Sequence, residues 1–115
     1  MRQGFTLVEV LVALILFEIA MLALAGTAAV AARDLAVAHR SVRAQTIARN
    51  RLEALRASAC TNPGTGNAVA AGGFSETWRV EGVDALRRLN ATVAFPLPGG
   101  RVGKVDLETS TWCPL

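Results

Sequence analysis

The chain has 115 residues, 52% of them hydrophobic, with Lys+Arg 12 against Asp+Glu 9 and a formal net charge of +3. That length holds one small domain rather than two, and a lone histidine with two cysteines outside any CxxC pair supplies no metal-ligand set. The positive balance comes mainly from arginines between Arg33 and Arg56, and arginines spaced in this way along a helix read as its solvated face rather than as a nucleic-acid site.

Met1-Arg2-Gln3-Gly4 is a short polar leader with one arginine, followed at once by an apolar run from Phe5 to Ala32. Only Thr6, Glu9, Glu18, Gly26 and Thr27 interrupt that run, which as a helix is about 42 Å long and crosses a bilayer with some tilt. A carboxylate in a segment otherwise suited to lipid is expensive, which marks Glu9 as a functional residue. Glu18 lies nine positions later, about 180° round a helix, so the two acids cannot serve one site. A secretory signal peptide is an alternative reading, with Ala25-Gly26-Thr27-Ala28 as its cleavage region. Orientation is ambiguous too: Arg33, Arg40 and Arg43 after the run favour a cytoplasmic C-terminal part, whereas a disulfide there requires an oxidising compartment.

From Arg33 to Ala59 the chain has no Pro or Gly and is rich in Ala, Arg, Leu and Gln, which predicts that the helix continues. Leu35, Ala38, Val42, Gln45, Leu52, Leu55 and Ala59 recur at three- and four-residue spacing as a narrow apolar stripe for packing. Gly26 is the weakest interior point of such a helix. Pro63, Gly64 and Gly66 then stop it, and a loop is expected as far as Gly72-Gly73.

Three segments alternate with period two: Phe74 to Val83, Arg88 to Phe95, and Lys104 to Thr111. They predict an antiparallel sheet with one polar face, its other face covered by the helix stripe. Pro96 to Gly100 supplies a connecting turn. Glu76, Glu81 and Glu108 are expected to be solvated strand residues. A Cys60–Cys113 bridge would close a loop of about 54 residues and add roughly 4 kcal/mol to a domain otherwise short of core, the alternative being two unrelated buried thiols. No nucleophile–base–acid set can be assembled around His39, because adjacent helical positions point in different directions, and the glycines lack the strand and helix of a phosphate loop. The reading is of a non-enzyme without cofactor or metal.

Gly4-Phe5-Thr6-Leu7-Val8-Glu9 resembles the start of the type IV pilin superfamily: a short charged leader ending in Gly, then Phe, an acid as the fifth mature residue, and an apolar helix. The resemblance implies cleavage between Gly4 and Phe5 by a prepilin peptidase and N-methylation of Phe5. It further implies that the helix is retained, with N-in orientation and a periplasmic C-terminal part. It gives Glu9, with Glu18 as a second candidate, to assembly with other pilin or pseudopilin subunits and an inner-membrane assembly platform. The implied organisation is a prepilin leader over 1–4, a transmembrane and assembly helix over 5–32, and a periplasmic head over 33–115. The implied fold is α+β and pilin-like, a long N-terminal helix on a small antiparallel sheet.

Ala48-Arg49-Asn50-Arg51-Leu52-Glu53-Ala54-Leu55-Arg56, Trp78-Arg79-Val80 and Leu86-Arg87-Arg88-Leu89 are similar to minor pseudopilins of type II secretion, subunit I type, and to V-type minor pilins. The chain departs from many major pilins in having Gly26 where they carry proline, and Glu18 is an additional acid.

Overall fold

In a computed structural model that describes residues 4–114, the chain forms one helix, α1 (Leu7–Ser58), followed by four strands: β1 (Gly66–Ala70), β2 (Phe74–Val83), β3 (Leu86–Pro96) and β4 (Val102–Trp112). The leader residues Met1, Arg2 and Gln3 lie outside the described residues. The chain divides into two units between Ala36 and Val37.

The first unit is helical. Its described side chains are all exposed, including Leu7, Leu11, Phe17 and Leu22, and its most apolar 18-residue window has a mean hydropathy of 2.6. Length and composition therefore suit it to crossing a membrane. Gly26 stays within the helix, and the neighbouring Thr27 hydroxyl donates to the Leu24 carbonyl at 2.8 Å.

The second unit carries the core. Its strands form one antiparallel meander in the order β1-β2-β3-β4. β2 and β3 join through Asp84-Ala85, where Asp84 takes a positive φ of 53°, a conformation that Asp tolerates and that a two-residue hairpin requires. β3 and β4 join through a turn closed by the Leu97 N–H donating to the Arg101 carbonyl at 2.8 Å, with Gly99 and Gly100 both at positive φ.

Alternation puts Leu89, Ala91, Val93 and Phe95 of β3 on the inner face, where they meet Phe74 and the helix residues Ala44, Ala48, Leu52, Leu55 and Ala59. Phe74 and Phe95 stack with ring centroids 5.9 Å apart. Two strand glycines make room for aromatic rings. Gly66 lies beneath the Trp78 indole across β1–β2, and Gly103 lies beneath Phe95 across β3–β4.

Three sequence expectations are corrected here. The packing stripe is shifted: Leu52, Leu55 and Ala59 are buried, but Leu35, Ala38, Val42 and Gln45 are exposed, and Ala44 and Ala48 take the seam. Ala44 and Ala48, in one core cluster with Phe74 and Phe95, are small enough to leave those rings room, and Leu52, Leu55 and Ala59 continue the seam beyond them. The stretch expected to be loop before Gly72 contains β1, whose five residues, Gly-Asn-Ala-Val-Ala, carry almost no strand signal and are held by pairing with β2. Glu76 is buried rather than solvated, as described below, whereas Glu81 and Glu108 are exposed as expected.

Candidate processing and assembly site

The site begins where the helix begins. Phe5 is 85% exposed, and α1 starts two residues later. Thr6 stands just outside the helix: its hydroxyl accepts from the Glu9 N–H at 3.3 Å, and the Glu9 carboxylate accepts from the Thr6 N–H at 3.4 Å. These reciprocal bonds form a capping box that satisfies two of the N–H groups a helix start leaves orphaned. Glu9 also lies in the first turn, where the helix dipole favours a negative charge. Its carboxylate is thus partly stabilised by its own chain, next to the Gly4–Phe5 bond. The Thr-x-x-Glu spacing signals this cap in the sequence, whereas polarity alone marks Thr6 only as an interruption of the apolar run. Glu18 is exposed about two and a half turns beyond the box, and no ion pair reaches it among the described residues.

The head is locked by groups that the sequence reading assigned to solvent. Arg51 makes a bidentate contact with Glu76, its Nε donating to Oε2 at 3.1 Å and its Nη2 to Oε1. The same guanidinium lies 3.9 Å from the centroid of the Trp78 ring. The Glu76 hydrogen bonds hold Arg51 even more firmly protonated than usual, against the opposing effect of its burial. Arg40 donates to the Pro96 carbonyl at 2.6 Å, Arg43 to the Ala71 carbonyl at 3.3 Å, and Arg56 to the Thr109 hydroxyl at 3.1 Å. The expected solvated basic face is in large part a set of clamps from helix to sheet margin. The long stems let arginines reach across the seam while their planar heads take carbonyl and carboxylate oxygens.

Cys60 and Cys113 form a disulfide, with Cα atoms 5.5 Å apart, joining the end of the helix to the end of β4. Among the described residues no cluster of three potential metal ligands occurs. His39 is exposed on the helix.

A long N-terminal helix with a small antiparallel sheet defines the class: an α+β, pilin-like architecture. Residues 1–25 match the family profile described as the prokaryotic N-terminal methylation motif. The chain therefore carries the prepilin signature of type IV pilins at its N-terminus. Among curated proteins and among solved structures, nothing matches the chain.

Proposed function

We propose that this chain is a structural subunit, a minor one, of a type II secretion pseudopilus or a type IV pilus. The observation that carries the reading is the methylation motif over residues 1–25, with Glu9 in the first turn of an exposed apolar helix. A prepilin peptidase cleaves between Gly4 and Phe5, and the new α-amino group of Phe5 is methylated. The helix stays in the inner membrane as a single span until assembly, and residues 33–115 form the periplasmic head, where the disulfide is stable.

In a low-dielectric bundle of helices, an unpaired carboxylate and an unpaired ammonium are each costly, and a well-placed pair offsets much of that cost. Glu9 pairs with the Phe5 amine of a neighbouring subunit and so sets axial register. The Thr6 cap supports this reading, because it holds the carboxylate at the helix start beside the residue that bears the amine. The partners are other pilin or pseudopilin subunits, the peptidase, the assembly platform and membrane lipid.

Replacement of Glu9 by Ala tests the proposal. The variant is expected to be processed and inserted but to enter filaments poorly, as read by sedimentation of sheared filaments. Normal incorporation would falsify the assignment. Glu18→Gln run in parallel separates the two roles open to Glu18: reduced assembly gives it a second subunit contact, and normal assembly leaves it a locally satisfied acid. A second reading is a membrane-anchored periplasmic binding module that never joins a filament, favoured by the exposed polar face of the head. Crosslinking through the helix discriminates, since a filament subunit gives ladders and a solitary receptor does not.

A further inference from the structure

The net charge of the folded unit is gathered at one end. Residues 37–115 hold ten bases and six acids. Four of the bases, Arg40, Arg43, Arg101 and Lys104, fall in three segments, 37–47, 69–75 and 94–104, that contain no Asp or Glu, and the other six bases are matched in number by the six acids. The fold brings the three segments together. Arg40 donates to the Pro96 carbonyl and Arg43 to the Ala71 carbonyl, while Val69, Ser75, Ala94 and Lys104 form one row across all four strands. Arg101 stands in the turn that joins β3 to β4. This is also the end at which the chain enters the unit, at Val37.

Elsewhere in the unit, Glu53, Glu76, Glu81 and Glu108 each pair with an arginine. At the entry end, none of the four bases takes part in an ion pair among the described residues. Arg40 and Arg43 donate to neutral carbonyls, as Arg101 does to Pro98 at 3.5 Å, and such bonds place a guanidinium without cancelling its charge. Beside the bases lie two apolar side chains in the open, Val69 at 81% exposed and Val102 at 65%, on the sheet face that also carries Lys104. Exposed apolar groups set among bases, with no acid between them, suit the headgroup layer of a bilayer: the bases meet phosphate and the valines enter the interface.

We propose that this end of the folded unit docks on anionic phospholipid headgroups of the membrane that the chain's own apolar run spans. The proposal rests on the reading of that run as a membrane anchor. It needs no particular arrangement of the two units. Arg40 follows Ala32, the last residue of the run, by eight residues, so the chain holds it within about 28 Å of the run even when fully extended. So short a tether keeps the local concentration of lipid high, and weak contacts at each base then suffice. Each base near an anionic surface shifts the docked–undocked equilibrium about fivefold. Nucleic acid would meet the same charge, but it gains nothing from the exposed valines and no tether brings it near.

The test uses the full chain reconstituted in vesicles of phosphatidylcholine with about 30% phosphatidylglycerol. A photoactivatable side chain at Val102 is expected to label phosphatidylglycerol about fivefold above its share of the bilayer, and one at Asp84, in the hairpin at the far end of the sheet, to label no lipid. Arg101→Gln with Lys104→Gln changes two exposed residues and leaves the Arg40 and Arg43 contacts in place. It is expected to bring the labelling down to the bulk share, whereas Arg101→Lys with Lys104→Arg keeps it at the parent level. Labelling at the bulk share in the parent, labelling unchanged by the Gln pair, or equal labelling from Asp84 would overturn this proposal alone, provided that the chain resists alkaline extraction. A chain that alkali extracts from the vesicles would overturn both this proposal and the anchor reading. Loss of lipid labelling to an added DNA duplex of about 20 base pairs would overturn the proposal in favour of a nucleic-acid face.

Discussion

Glu9 and Glu76 are two acids in costly places, and each is satisfied differently. Glu9 is held locally, by a cap three residues away, so it is presented at the helix start whatever the head does. Glu76 is held across the fold by Arg51, with its side chain 10% exposed against 29% for the arginine. Replacing Glu76 by Ala leaves the guanidinium against Trp78 without its carboxylate. The expected loss is about 1–3 kcal/mol, toward the lower end because Arg51 keeps some solvent. Glu76→Gln, which retains an acceptor, is expected to lose less. Equilibrium denaturation of both variants in detergent checks the order. An equal loss in the two would show that packing, not the charged pair, accounts for the effect.

The helix is one element serving two solvents. Up to Ala36 its apolar side chains are exposed and suited to lipid, and from Val37 its buried positions form a narrow seam, Ala44 and Ala48 followed by Leu52 and Leu55. The seam makes a sharp prediction. Ala48 is 0% exposed beneath the sheet, so Ala48→Leu is expected to overpack and to lower stability by about 1–3 kcal/mol. Val42, exposed on the other side, is expected to tolerate Ala within about 0.5 kcal/mol in the isolated subunit. A thermal melt of each variant decides between this seam and the stripe through Val42 that the spacing of large apolar residues suggested. A drop for Val42→Ala with no drop for Ala48→Leu would restore that stripe.

At the scale of the whole molecule, a head of modest core is closed by one covalent link. The Cys60–Cys113 bridge spans a sequence separation of 53 and ties the end of the helix to the end of β4, so breaking it frees a long loop in the unfolded chain. The double variant Cys60→Ser with Cys113→Ser is expected to lose roughly 4 kcal/mol, much of the stability of a domain this size. Reduction of the parent protein is expected to lower its denaturation midpoint by a matching amount. A midpoint indifferent to reductant would assign the stability to the arginine clamps instead.

What the chain declares by itself is whatever depends on neighbours in sequence. The polar start, Phe5, the Thr6–Glu9 spacing and the long apolar run are local patterns, and they carry the methylation motif and the helix without reference to anything downstream. The three longer strands announce themselves by period-two alternation, and the two cysteines allow either a bridge or two separate thiols, of which the fold makes the bridge. Tertiary structure alone decided the rest. β1 exists because β2 offers it a ladder, the small alanines became the seam because two phenylalanine rings occupy the gap, and the arginines became clamps because carbonyls and Glu76 come within reach only after the sheet is laid on the helix. Each depends on contacts between residues far apart in the chain, whose burial and hydrogen-bond partners no local pattern encodes.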